Sequence, residues 1–279
     1  MARGVKSNSG RELAQSVETS DMLMLITRGR VGYIGLLGRP QTREFGSLTV
    51  YISLSAPFQI QVGDREWESA DMFVVAPDTS HRITTSDRLI GVLLIEPETI
   101  DLTGLPQWLQ PSMQASQCLP GLERVRTAFR SLRNKEVDIA RVKEDFDGFF
   151  LGQQLPSRKL DARMAAVVER INQDPCGLIG AEECARLVGL SFSRFLHLFK
   201  EDVGTTFRSF RAWKRARSFL WYVNTASSLT DIALDIGYPD SSHFSHTVRR
   251  YWGLTPKDIL AGSRRLAVIN HNNATVSMA

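Results

Sequence analysis

The feature that most constrains this chain is an internal duplication. The stretch Ala185-Arg-Leu-Val-Gly189-Leu-Ser-Phe-Ser-Arg-Phe195-Leu-His-Leu-Phe199-Lys-Glu-Asp-Val-Gly204 returns as Ala233-Leu-Asp-Ile-Gly237-Tyr-Pro-Asp-Ser-Ser-His-Phe244-Ser-His-Thr-Val248-Arg-Arg-Tyr-Trp-Gly253, with one residue inserted in the second turn. A register kept over that length means one supersecondary unit built twice. Each copy has the parts of a helix-turn-helix. A small Ala sits where two helices cross, a Gly accepts the left-handed backbone that ends the first helix, and Ser191 or Asp240 caps the second.

On the second helix of each copy the helical period sends Phe195 and Phe199, or Phe244 and Val248, inward. The outward side then carries Ser193, Arg194, Leu196, His197 and Lys200 in the first copy. In the second it carries Ser241, Ser242, Ser245, His246, Arg249 and Arg250. Laid in a major groove, such a stripe puts Ser and His near base edges and Leu196 against a thymine methyl, with Lys200 or Arg249 turned to phosphates. Residues 207–223, between the copies, read as a helical spacer. It carries Arg208, Arg211, Lys214, Arg215 and Arg217 around Phe210, Trp213, Phe219 and Leu220. One copy alone would be an ordinary amphipathic pair of helices; two in register on one side of the molecule point to double-stranded DNA.

Charge agrees with this. Residues 156–279 carry 17 Lys and Arg against 11 Asp and Glu, whereas residues 1–155 carry 17 against 19, so the excess of +4 lies wholly in the C-terminal half. That suits a polyanionic partner for one domain. Cys118, Cys176 and Cys184 are odd in number and lack CxxC spacing, which predicts neither a disulfide framework nor a zinc site. Residues 1–20 have no apolar stretch of a signal peptide, and Met22-Leu-Met-Leu-Ile26 is too short to cross a bilayer, so a cytoplasmic protein without a membrane partner is expected.

The N-terminal half has a different texture. Val31-Gly-Tyr-Ile-Gly-Leu-Leu37, Leu48-Thr-Val-Tyr-Ile-Ser-Leu54, Phe58-Gln-Ile-Gln-Val62, Met72-Phe-Val-Val75 and Leu89-Ile-Gly-Val-Leu-Leu-Ile95 are short strand-like runs, with turn signals at Gly63-Asp64 and Ala76-Pro77-Asp78. They predict a small antiparallel barrel or sandwich. After Pro97 apolar residues recur at three and four, as in Leu122, Val125, Phe129, Leu132 and then Ile139, Val142, Phe146, Phe149, Phe150, so a pair of helices is expected over 121–153. These helices either cover the barrel or form a dimer surface. The surplus of Phe146, Phe149, Phe150 and Leu151 favours a homodimer.

Residues 181–260 resemble the tandem helix-turn-helix domain of the AraC/XylS family of bacterial transcription regulators. The most specific string is Leu229-Thr-Asp-Ile-Ala-Leu-Asp-Ile-Gly-Tyr-Pro-Asp-Ser-Ser-His-Phe-Ser-His-Thr-Val-Arg-Arg-Tyr-Trp-Gly-Leu-Thr-Pro256. Val248 departs from the family pattern where an aromatic is usual, and Asp258-Ile-Leu where Tyr-Arg often stands. The resemblance implies that one monomer binds two successive major-groove segments about one helical turn apart. It also favours an activator, with RNA polymerase as a partner.

The run from Phe58 to Trp67, followed by Ala70 to His81, resembles the cupin-like sensor barrel commonly fused to such domains. That resemblance implies a small-molecule effector. A catalytic cupin would present several histidines and a Glu around a metal; only His81 stands in a ligand-like position, so an enzyme is the weaker reading and no cofactor or metal is expected. Arg39-Pro-Gln-Thr-Arg43 is similar to the Arg-x-x-x-Arg loop with which PilZ domains hold cyclic di-GMP. Together with His81, the two arginines make a candidate site for an anionic nucleotide of that kind, set against the plainer reading of two solvated surface arginines.

The chain is thus expected to be an α+β multidomain protein. Residues 1–20 form a flexible N-terminus, 21–100 a cupin-like antiparallel β-barrel and 101–155 a helical linker and dimerisation region. Residues 156–262 form an all-α DNA-binding domain with two helix-turn-helix motifs, and 263–279 a flexible tail.

Overall fold

A computed structural model describes residues 22–37, 41–87, 89–111, 119–263 and 266–269. Among these residues nine strands form two sheets. The larger has the order β6-β3-β8-β2-β1-β9, from Met72–Val75, Leu48–Ser53, Ile90–Ile95, Arg30–Gly35, Leu23–Ile26 and Ala267–Ile269; the smaller is β5-β4-β7, from Glu68–Ala70, Phe58–Val62 and His81–Thr85. Strands β3 and β8 are buried along their whole length, as continuous apolar runs must be when both faces of a sheet are covered. Strand β4 instead alternates, with Phe58 and Ile60 buried and Gln59 exposed, because the small sheet has one face in water. The turns fall where Gly63 and Asp78 adopt positive φ, 58° and 55°.

One face of the large sheet, through Tyr51, Phe73, Val92 and Leu94, meets Phe58, Ile60 and Ile83 of the small one. The opposite face, through Val50, Ile52, Val74 and Leu93, lies under the helices Leu119–Arg133, Ile139–Glu144 and Phe146–Leu151. The expected cupin-like barrel is therefore corrected to an open pair of sheets: among the described residues no hydrogen-bonded ladder joins them into a closed barrel. The chain crosses from β5 to β6 at Asp71, whose carbonyl accepts from the Ser53 amide, and there it changes sheets. Alternation cannot separate the two architectures, since a barrel and a sandwich each require one apolar face per strand.

The covering helices also correct the argument for a dimer surface. Phe146, Phe150 and Leu151 are buried, and Phe149 stacks edge-on to Phe150 at 5.0 Å, so this apolar surplus covers the second face of the sheet.

In the C-terminal half, helix Ala162–Gln173 packs on the first helix-turn-helix, Ala181–Leu187 and Phe192–Val203, around a core of its own that includes Met164, Ile171, Ala185, Phe195 and Phe199. The spacer is an α-helix over Phe207–Ser218 followed by a 3-10 turn over Phe219–Tyr222. The second unit comprises Leu229–Asp235 and Ser241–Trp252, followed by Pro256–Gly262. Its core, Ile232, Ala233, Phe244, Val248 and Tyr251, is continuous through Trp213 and Phe219 with the space between the two sheets. The second unit and the N-terminal domain thus share one hydrophobic core.

The expected tail is also in part structured. Ala267–Ile269 form β9, parallel to β1 with Leu23 opposite Ala267, and Leu266 is buried beneath it. Having left the second unit, the chain returns to the N-terminal sheet. Residues 1–20 and 270–279, both expected to be flexible, lie outside the described residues.

Candidate DNA interface

Both copies of the repeat close in the same way. The first helices end at Gly189 and Gly237, with φ of +66° and +84°. In each, the next amide reaches back to the buried alanine: Leu190 to the Ala185 carbonyl at 2.9 Å, Tyr238 to that of Ala233 at 2.8 Å. This six-to-one bond is the Schellman closure that a left-handed glycine permits. The second helices open on the expected caps, with Ser191 Oγ accepting from the Arg194 amide and Asp240 Oδ1 from that of His243. They stop at Gly204 and Gly253, again left-handed.

The faces divide as the period requires. Phe195, Phe199, Phe244 and Val248 are fully buried. Ser193, Arg194, His197 and Lys200 are exposed and Leu196 is half-buried; in the second copy Ser242, His246, Arg249 and Arg250 are exposed, while Ser241 and Ser245 are half-buried. Val248 fills its place beside Phe244, which packs edge-on against Phe219 at 5.2 Å. His197 keeps a loose pairing with Glu201 at 3.7 Å. Arg250 is ion-paired to Glu44 of the N-terminal domain at 2.8 Å.

The spacer cations are spent inside the protein. Lys214 Nζ lies 2.6 Å from Glu96 Oε2 and also binds Glu98, while Arg217 Nε lies 2.9 Å from Glu96 Oε1 and its Nη2 donates to the Thr27 carbonyl. Trp213 Nε1 completes the set on Glu96. Burial pushes the Glu96 carboxyl up, but Lys214 and Arg217 outweigh it and hold it below its ordinary value; for Glu98 burial prevails and the carboxyl is raised. Arg211 donates to the Gly177 carbonyl and Arg215 lies over Tyr238, leaving Arg208 as the exposed arginine of this helix.

Sequence reasoning missed this cluster, although a signal existed. Phe210, Lys214 and Arg217 share one helical stripe, and cations on an apolar stripe demand buried acids. The acids are supplied by Glu96-Pro-Glu98, at the end of the buried strand β8.

The expected effector residues part company. Arg39 lies outside the described residues. Arg43 is turned inward, only 4% exposed; its Nε has no hydrogen-bond acceptor, and its Nη2 reaches the Leu37 carbonyl at 3.4 Å. This inward turn removes the surface-loop geometry on which the cyclic di-GMP expectation rested. His81 is buried beside it, with Nε2 2.8 Å from the Tyr51 hydroxyl and Nδ1 2.8 Å from the Thr79 carbonyl. Burial holds its pKa down at about 3, so the ring is neutral, with Nδ1–H donating to Thr79 and Nε2 accepting from Tyr51. Both ring nitrogens are engaged, and among the described residues no three His, Cys, Asp or Glu side chains gather as a metal site.

These elements define a tandem helix-turn-helix protein carrying an N-terminal β domain. Residues 184–262 match a family model described as a helix-turn-helix domain. Over 124 residues, 42% of this chain, the sequence is 28% identical to the transcriptional activator RhrA of Rhizobium meliloti (strain 1021), and the aligned part spans little more than a third, 37%, of that protein. The crystal structure of ToxT from Vibrio cholerae O395 superposes with a TM-score of 0.54 at 11% identity, covering 85% of this chain and 98% of that one. ToxT of strain SCE256 with a bound unsaturated fatty acid gives 0.52 at 13% identity, covering 84% and 95%. At such identities the likeness to ToxT concerns the fold alone. The C-terminal part of the chain is thus a helix-turn-helix domain, in keeping with its resemblance to the AraC/XylS family. Among the described residues no helix is long and apolar enough to cross a membrane.

Proposed function

We propose that this protein is a sequence-specific DNA-binding transcription regulator that reads duplex DNA with the exposed faces of Phe192–Val203 and Ser241–Trp252. The observation that carries the reading is the duplication itself: two units with the same buried positions, the same glycine closure and the same exposed stripe of Ser, His and a cation. Ser193, Leu196 and His197, with Ser242, Ser245 and His246, read base edges, while Arg194, Lys200, Arg249 and Arg250 meet phosphates and Ser241 sits at the entry of the second helix. Selection from a random duplex pool should return a bipartite site with halves about one helical turn apart. Recovery of a single short motif, unaffected by His246→Ala, would overturn the two-unit reading.

The protein acts as an activator and contacts RNA polymerase; what supports this is the similarity to a relative named as a transcriptional activator.

A small anionic effector acts through the N-terminal domain. In support stands Arg43, a buried guanidinium with an unpartnered Nε between Tyr51, His81 and the second unit, a poor arrangement for stability and a good one for capturing an anion. ToxT, similar in fold, has been solved with a bound fatty acid. Native mass spectrometry of protein purified from its own host should find an adduct that Arg43→Met loses; an adduct-free spectrum for the wild type would count against an effector.

A further inference from the structure

Building on the DNA-binding reading, we propose that Glu44 stands in for a DNA phosphate: it holds Arg250 against the N-terminal domain and competes with DNA for it. Within residues 41–45, four side chains or amides grip the last turn of the second reading helix: those of Gln41, Arg43, Glu44 and Phe45. Glu44 Oε1 lies 2.8 Å from Arg250 Nη2, and its amide donates to the Tyr251 carbonyl at 3.4 Å. Phe45 meets Trp252 edge-on at 5.1 Å. Gln41 and Arg43 close over Gly253 so tightly that a Cβ there would lie 3.3 Å from each.

The first unit is held differently. The position matching Arg250 in the repeat is Glu201, and on that side Thr205 Oγ1 donates to Asp78 Oδ2 at 2.7 Å. The N-terminal domain therefore supplies an acid opposite the unit that carries a cation at this place. A carboxylate and a phosphate offer the same forked acceptor to a guanidinium, so they compete for it. The Arg250 side chain is 54% exposed, which lets a phosphate approach and makes the pair a bias rather than a lock. The strip that carries Glu44 also carries Arg43, so a ligand that moved Arg43 would move Glu44 with it.

The test measures affinity of the full chain for a fluorescein-labelled duplex of scrambled sequence, because a phosphate contact acts on all sequences. Glu44→Gln should bind about 2- to 5-fold tighter than wild type, the range that releasing an exposed ion pair allows. Arg250→Ala should bind more weakly, and adding Glu44→Gln to it should bring no gain. A tighter complex cannot arise from misfolding. Equal affinity of Glu44→Gln and wild type, or a gain that survives Arg250→Ala, overturns the proposal. Lys200→Ala and Arg249→Ala separate it from its premise. If they weaken binding while Glu44→Gln does nothing, only the role of Glu44 falls; if they leave binding unchanged, the assigned face is wrong and the proposal falls with it.

Discussion

Lys214 Nζ and Glu96 Oε2, 118 residues apart in sequence, lie 2.6 Å apart with both side chains almost wholly buried. The contact joins the spacer between the two helix-turn-helix units to the end of a central strand of the N-terminal sheet. Arg217 and Trp213 converge on the same carboxylate, so the spacer is seated on the N-terminal domain by a charge cluster as well as by apolar packing.

Breaking that cluster from the cationic side should be costly. Lys214→Met leaves Glu96 and Glu98 buried together with Arg217 as their remaining cation, and should lower the free energy of unfolding by about 3–5 kcal/mol in urea titrations. Glu98→Gln should cost far less, because burial already opposes ionisation of that carboxyl and its Oε2 has no partner. Similar losses for both variants would contradict this account.

The two turn glycines should differ in tolerance. Both have positive φ, so alanine at either position should cost about 1–2 kcal/mol for the left-handed backbone. A Cβ on Gly189 meets open space, whereas one on Gly237 would lie 2.8 Å from the Cys176 carbonyl oxygen. Thermal melts should therefore place Gly237→Ala clearly below Gly189→Ala.

His81 predicts acid lability. Its folded pKa, about 3, lies below the ordinary value of 6.5, so the unfolded chain binds the extra proton between those limits and stability falls as pH falls through that window. From pH 6.5 toward 5 the slope from this residue should approach about 1.4 kcal/mol per pH unit. Chemical denaturation of His81→Gln over the same range should lack that component.

On DNA, the exposed stripe should split by role. His197→Ala and His246→Ala should flatten discrimination between bases, each worth roughly 1–3 kcal/mol if the contact is direct. Lys200→Ala and Arg249→Ala should weaken all sequences alike and reduce the salt slope by about one. Footprinting at two salt concentrations distinguishes the pairs.

The helix-turn-helix units were legible because every signal that builds them is local. A cap reaches two or three residues, a glycine sets its own φ, and Phe195 and Phe199 share a face by helical spacing alone. The roles of Arg43, Lys214, Arg217 and Arg250 were not legible. Each is a cation that sequence alone leaves on the surface or on DNA, and each is redirected by a group brought in from far along the chain: Glu96 and Glu98 for the spacer, Glu44 for Arg250, the aromatic interior for Arg43.

Sequence by itself determined the duplication, its inward and outward faces, the strand-rich N-terminal half and the covering helices, since periodicity and turn chemistry depend on neighbours within a turn or a hairpin. Tertiary structure decided that the strands form an open pair of sheets, that the end of the chain returns as β9, and that the second unit shares its core with the N-terminal domain. It also decided which of the cations stay free to meet DNA. The physical reason is that a charge's partner and a sheet's second face are set by whatever packs against them, and for the cations that comes from far along the chain.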